Sequence, residues 1–515
     1  MDLARTYGVL LHPTSLAGPW GIGVLGKEAR RFLDWLARAR AGYWQVLPLG
    51  ATGLGECPYL GVSAWAGNPY LIDPEDLFAR GWLARENPPP FPVERVDFPR
   101  VMEWKWGLLR RAFSGFEQRA RPSEQTELME FMRRETRWLD DYTLFMALFF
   151  RHDRESWSRW PEPLRRRDPE ALAEARRDLK DEIRFHAFTQ WLFFQQWEAL
   201  RRYGAERGVR IIGDVPIFVS YQSAEVWANP DLFFLDERGE PTVVGGVPPD
   251  YFSPEGQRWG NPLYRWDKME QRGFDFWIDR VRTVLGTCDL IRIDHFRAFE
   301  SYWEILASEP TAKNGRWVKA PGDRFFSRLK ELLGDLPFIA EDLGIITDEV
   351  YALRDRFRLP GMKVLQFAFG NDAKNPHLPE NFPEDGHCVV YPGTHDNDTL
   401  LGWWRTLPET ERAQALQTLH AHRIRVAGDN EIGWAFIRLA FHSRARLAVV
   451  TLQDILGLGS ESRMNNPATS SGNWGFRYLE DALQPKLATR LGRLAEESQR
   501  ASPFAGPRPV RRRAD

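Results

Sequence analysis

The sequence predicts an α/β protein, a (β/α)8 barrel of the TIM type with large, mainly helical insertions. Three observations lead there. Eight short apolar runs, at 7–13, 43–50, 209–219, 290–296, 337–344, 362–369, 388–398 and 447–457, read as buried parallel strands. Amphipathic helical patterns separate most of them, the alternation that builds a parallel sheet. Acidic and basic residues gather at the C-terminal ends of several runs, the ends that converge on the active face of a parallel barrel.

The first run, "YGVLLHP", leads into the helical pattern "EARRFLDWLARAR". The second, "YWQVLPLG", is followed by residues 51–208, a loop and then long Arg/Glu-rich amphipathic helices. That span is too long for one crossover and is expected to be an inserted helical subdomain region between strands 2 and 3. The third run, "VRIIGDVPIFV", carries Asp214. Residues 220–265, with "GGVPPDYFSPEGQRWGNPLYRW", are rich in Gly, Pro, Asn and aromatics, show no clear periodicity, and read as a long structured loop. The helical patterns "FDFWIDRVRTVLG", "DRFFSRLKELLG" and "DEVYALRDRF" separate the strands that follow.

The fourth run, "LIRIDHF", places charge inside a strand. Side chains alternate between faces, so Arg292 and Asp294 share one face and Ile291 and Ile293 the other. Taken alone, the pair reads equally well as a structural ion pair. It does not stand alone: "FIAED" ends on Glu341 and Asp342, and "YPGTHDND" carries His395, Asp396 and Asp398. Four acid-bearing strand ends point to the mouth of a site.

Composition narrows the chemistry. The net charge of −2 over 515 residues argues against nucleic acid as a partner. The basic stretch "RPVRRRAD" belongs to a C-terminal segment, 503–515, expected to be a loose tail. Three cysteines without a C-x-x-C exclude a disulfide scaffold and a cysteine zinc site, and suit a reducing cytoplasm. "MDLARTYGVLLHP" lacks the apolar core of a signal peptide, and "LFMALFF" is too short to span a bilayer, so no membrane partner is expected. The 22 tryptophans hint at carbohydrate, since sugar faces bind on aromatic rings, although most large aromatics simply fill cores.

Carboxylates with few histidines suit glycosyl transfer. A retaining mechanism uses an ionised carboxylate nucleophile and a second carboxyl about 5–5.5 Å away as acid/base. Arg292 beside Asp294 favours its ionised form, and Glu341 suits the acid if its surroundings raise its pKa. Asp396 suits a third carboxylate that holds ring hydroxyls and favours the oxocarbenium-like transition state. A competing arrangement uses His395, Asp396, Asp398, Asp294 and His295 as a metallohydrolase centre. Two glycine motifs are decoys. "GIGVLG" (21–26) fits G-x-G-x-x-G but starts eight residues past the first run, and Glu28 stands where a phosphate loop needs Ser or Thr.

Further stretches carry a resemblance: "GIGVLG", "NPYLID", "IIGDVPIFV", "GVPPDYFSPEGQRWGNPLY", "RIDHFR", "AEDLGIIT", "PGMKVLQFAF", "GTHDNDT" and "LQDILGLGSESRMNNPAT". In this order, from about residue 8 to 478, they resemble the 4-α-glucanotransferases of the amylomaltase type, glycoside hydrolase family 77, allied to the α-amylases. The resemblance implies transfer of 1,4-α-glucan segments to glucose or another glucan. It implies Asp294 as nucleophile, Glu341 as general acid/base and Asp396 as transition-state stabiliser. It implies Asp214, Arg292 and His395 around the cleaved ring, Tyr59 stacking on that ring, and Trp259 and Asn465 as further substrate contacts. Residues 245–265 resemble the family's lid, which makes 220–270 an active-site loop or lid region. No cofactor and no metal are implied. The chain departs from the family pattern at Cys57, Leu60, Gln222, Ala298 and Ala468, none of which is one of the three carboxylates. An α-amylase-like hydrolase, a branching enzyme and a non-catalytic glucan-binding barrel are the alternatives.

Overall fold

The computed structural model describes residues 3–52, 56–249, 253–370, 372–469 and 471–504. Its strands, in chain order, are β1 (Thr6–Leu10), β2 (Tyr43–Gln45), β3 (Arg210–Val215), β4 (Val243–Val247), β5 (Gln257–Pro262) and β6 (Leu290–Ile293). They continue as β7 (Ser301–Leu306), β8 (Arg316–Lys319), β9 (Phe338–Ala340), β10 (Gly361–Val364), β11 (Cys388–Tyr391) and β12 (Leu447–Thr451). Eight of them close a parallel barrel in the order β1-β12-β11-β10-β9-β6-β3-β2. Each of the eight apolar runs supplies one barrel strand.

Strand alternation fills the barrel. Leu10, Tyr43, Ile212, Leu290, Ile339, Met362, Val389, Tyr391, Leu447 and Val449 form one buried cluster inside it. The alternate side chains point outward and join the large cluster under the surrounding helices. Six of the most deeply buried side chains are tryptophans, Trp44, Trp82, Trp157, Trp197, Trp227 and Trp277, so much of the tryptophan content is core rather than sugar platform.

β2 and β3 are barrel neighbours although 164 residues separate Gln45 from Arg210. The intervening chain carries long helices at Phe98–Arg119, Pro122–Arg151 and Lys180–Ala205. The last of these is the crossover itself: it runs directly into β3, and Trp197 Nε1 donates to the Thr287 carbonyl at 2.8 Å. The glycines of "GIGVLG" are explained by packing. A Cβ on Gly23 would stand 1.8 Å from the Pro13 carbonyl oxygen, and one on Gly26 would stand 2.2 Å from an Asp73 carboxylate oxygen.

Two expectations gain detail. The segment 220–265, expected to be a long structured loop, contains the helix Ala224–Ala228, β4 and β5. β4 and β5 join β7 and β8 in a four-stranded antiparallel sheet, order β5-β4-β7-β8, beside the barrel. The glycines of "VVGGV" lack strand propensity, and β4 pairs with β7 across barrel strand β6, so no local signal marks the sheet. The tail is also anchored at its start. The Phe504 ring packs edge-on against Tyr43, 5.2 Å between centroids, and Ser502 Oγ donates to the Gly208 carbonyl. Residues 505–515, including the basic run, lie outside the described residues.

Candidate active site

The ladder between β6 and β9 builds the centre of the site. It continues past both strands: Glu341 N donates to Ile293 O at 3.1 Å and Phe296 N to Glu341 O at 3.1 Å. Between them His295 adopts the left-handed region at φ 50°, which turns the chain sharply after Asp294. Asp294 and Glu341 thereby leave adjacent strands at the same height. Arg292 and Asp214 are direct register partners across β6 and β3, and both point inward.

One guanidinium joins these groups. Arg292 Nη1 lies 2.7 Å from Asp214 Oδ2 and 3.1 Å from Asp294 Oδ1, while Nη2 lies 3.1 Å from Glu341 Oε1. Its side chain is only 2% exposed, so these contacts act with little solvent screening. The Asp294 side chain, 26% exposed, faces the mouth. Glu341 also accepts from the His295 backbone N–H. Burial, helped by the charge of Asp294, outweighs Arg292 and holds the Glu341 carboxyl well above the usual carboxylate range. Glu341 is thus suited to keep a proton.

The opposite wall comes from β11 and the chain after β12. Asn465 Nδ2 donates to Asp396 Oδ1 at 2.6 Å, Arg463 Nη2 donates to the Asp396 carbonyl at 2.6 Å, and Asn465 N donates to the His395 carbonyl at 3.0 Å. His395 Nε2 sits 3.4 Å from Asp396 Oδ2. Tyr59 completes the wall: its hydroxyl donates to Asp214 Oδ2 at 2.8 Å, lies 2.9 Å from His395 Nε2, and its ring lies parallel to His395 at 5.5 Å. Burial lowers the pKa of His395, which favours its neutral form.

The structure therefore brings Asp214, Arg292, Asp294, Glu341, His395, Asp396, Tyr59 and Asn465 together. Trp259, on β5, reaches them through His295, with ring centroids 4.9 Å apart in an edge-on contact. Asp342 does not join: it points away, ion-pairs with Arg354 and accepts from Met362 N at 2.7 Å. Asp398 also turns away, accepting from Ser460 Oγ at 2.7 Å and Thr399 N at 2.7 Å. The metallohydrolase arrangement loses its geometry. Among the described residues no three His, Cys, Asp or Glu side chains form a group that could hold a metal ion. Of the aromatics at 251–266, Tyr264 and Trp266 are core, with the Tyr264 hydroxyl donating to the Ile217 carbonyl at 2.8 Å, while Tyr251 and Phe252 lie outside the described residues.

Some neighbours went unnoticed in the sequence. Trp474, at φ 62°, packs against Tyr59 and His395 at 5.8 and 6.0 Å, and nothing in "SSGNWGF" marks it. Arg463 acts through a backbone carbonyl, which leaves no sequence signal. Cys57, one of the departures, lies near the carboxylates. Burial, with a smaller push from Asp396 and Asp294, raises its thiol to about 11, so it stays protonated and does not compete as a nucleophile. Leu60 stands 48% exposed beside Tyr59.

A parallel barrel that gathers acidic side chains at the C-terminal ends of its strands, one of them poised to hold a proton, defines a class: enzymes that cleave or transfer glycosidic bonds with carboxylates. The model of glycoside hydrolase family 77, described as 4-alpha-glucanotransferase, matches residues 11–482, and the chain belongs to this family. A 4-alpha-glucanotransferase from Thermus thermophilus is 56% identical over 500 residues, covering 97% of this chain and 100% of the relative. A chloroplastic/amyloplastic 4-alpha-glucanotransferase from Solanum tuberosum is 44% identical, covering 92% of this chain and 82% of the relative. The solved amylomaltase from Streptococcus agalactiae in complex with acarbose is 36% identical and superposes with a TM-score of 0.91, covering 96% of this chain and 100% of that one.

Proposed function

We propose that this 4-α-glucanotransferase moves a segment of a 1,4-α-glucan to the 4-hydroxyl of glucose or another glucan by double displacement. The observation that carries the mechanism is the single guanidinium of Arg292 touching Asp214, Asp294 and Glu341. In the first step an oxygen of Asp294 attacks the anomeric carbon, the bond to the leaving O4 breaks, and the Glu341 proton passes to that oxygen. Asp396 faces the positive charge that develops on the ring, held by Asn465 and Arg463. In the second step Glu341, now a carboxylate, takes the proton from the acceptor 4-hydroxyl, whose oxygen displaces Asp294. Both steps balance without a metal or cofactor. Asp214, Arg292, His395 and Tyr59 line the position of the cleaved ring in this reading, and the segment 220–270 supplies a lid over the cleft. Three cysteines without a disulfide support a cytoplasmic setting, and no helix among the described residues is long and apolar enough to cross a membrane.

Incubation with pure maltotriose in excess chelator tests the reading. The expected products are glucose and a ladder of longer maltodextrins. Glucose and maltose alone would mean that water is the acceptor, as in a hydrolase, and loss of activity with chelator would restore the metal-centred alternative.

Transfer requires that acceptor be favoured over water in attacking the intermediate, through orientation and desolvation. Trp259 is placed to contribute, since it is half-buried and packs on His295 beside Asp294. Trp259→Ala is expected to lower the ratio of transfer to hydrolysis, read as a rise in reducing ends released per glycosyl unit transferred. An unchanged ratio would remove Trp259 from the acceptor side.

A further inference from the structure

The ladder between β6 and β9 goes out of step at the catalytic centre. Ile293 pairs with Ala340, and Glu341 N donates to Ile293 O. In a regular parallel ladder the next bond would run from His295 N to Glu341 O. The bond that forms runs from Phe296 N to Glu341 O, at 3.1 Å. One extra residue has therefore entered the chain leaving β6, as in a bulge. That residue is His295, in the left-handed region at φ 50° and ψ 50°. The bulge releases the His295 N–H from the ladder, and this N–H donates instead to Oε2 of the Glu341 side chain.

A residue other than glycine is held in this region at a cost, and such residues gather at functional sites. Histidine tolerates the conformation better than most residues, and a β-branched residue tolerates it worst. The released donor has a use. Arg292 Nη2 lies 3.1 Å from Oε1 of Glu341, but that guanidinium also serves Asp214 and Asp294. The His295 N–H serves Glu341 alone. The other charged or titratable groups facing the Glu341 carboxyl are Asp294 and Asp396, which oppose its ionised form, and Tyr391 of β11, which burial keeps protonated. The His295 ring, edge-on to Trp259, is kept neutral by burial, its pKa lowered to about 4.

We propose that His295 is a positioning residue that acts through its left-handed backbone: the N–H released by the bulge orients the Glu341 carboxyl and favours its ionised form. A hydrogen bond to the charged form partly offsets burial. It matters most after Glu341 has given its proton to the leaving oxygen, when the carboxylate must stay in place to take the proton of the acceptor 4-hydroxyl. The inference rests on the reading of Glu341 as general acid/base.

Maltotriose kinetics of the full-length enzyme across pH test it, with His295→Gly read against His295→Val. Both variants lack the imidazole, so a loss they share belongs to the ring. Glycine adopts φ 50° freely, and valine resists it. In His295→Gly the alkaline limb of kcat is expected to stay at its native position. In His295→Val it should move up by about one pH unit, because losing a donor to the carboxylate raises the pH at which Glu341 gives up its proton. At the optimum, kcat should fall about tenfold below that of His295→Gly, the loss of one well-placed hydrogen bond. His295→Asn, which also tolerates the left-handed region, should keep the native limb. If His295→Val does not fold, His295→Ala is read against His295→Gly by the same limb. A native limb in the folded Val or Ala variant, or an equal shift in that variant and His295→Gly, would overturn the backbone role. Failure of the underlying reading looks different: an alkaline limb that survives in Glu341→Gln on a fluoride donor would take the acid role from Glu341 itself.

Discussion

Asp294→Asn is expected to lower kcat on maltotriose by roughly 10⁴-fold or more, the scale seen when an enzyme's nucleophile is removed. The substitution keeps the shape of the side chain and removes its charge. The covalent intermediate is lost because an amide oxygen is a poor nucleophile at the anomeric carbon. The variant should still fold, since Asp294 stands at the mouth and Arg292 keeps its contacts with Asp214 and Glu341. A fluorosugar that traps the intermediate gives the direct measurement. The native enzyme should gain the mass of one glycosyl unit on the peptide that contains residue 294, and the variant should gain none. An adduct on another residue would sink the assignment.

Glu341→Gln is expected to reduce turnover of maltodextrins by about 10²- to 10⁴-fold, the range attributed to a positioned general acid. A glucosyl fluoride donor should be far less affected in the first step, because fluoride leaves without a proton. Equal losses on both donors would remove Glu341 from the acid role. The pH dependence follows from the same group. Burial raises its pKa, so the protonated form survives above the usual carboxylate range and is lost as pH rises through the raised value. The native enzyme should therefore show an alkaline limb on maltodextrins, and Glu341→Gln should lack it on the fluoride donor.

The two effects differ because the two carboxyls differ in setting rather than in kind. Asp294 faces solvent on one side and the guanidinium on the other, while Glu341 is enclosed behind it. Removing the charge of Asp294 should also shift the alkaline limb, since Asp294 is among the groups that raise the pKa of Glu341.

How much of this was legible in the chain depends on the range of the signal. The eight barrel strands were legible because a buried strand marks itself locally, by apolar residues and alternation. The structure separated the two acids that end "FIAED": Glu341 touches Arg292, while Asp342 pairs with Arg354. The acidic strand ends could be nominated because a parallel barrel sends all its strand ends to one face, and the family resemblance was needed to propose a role for each. The sheet formed by β4, β5, β7 and β8 was not legible, because its partners are non-local and its glycines carry no strand preference.

The sequence by itself determined the barrel, its helical insertion and the acidic residues at its mouth, since each is a repeating local pattern or an ordered set of motifs. Only the tertiary structure decided that one buried arginine serves three carboxylates, that Tyr264 and Trp266 fill core while Trp259 reaches the site, and that Trp474 backs Tyr59 and His395. It also decided the electrostatics of Glu341, because desolvation depends on everything that surrounds a group, and what surrounds this one comes from segments hundreds of residues apart.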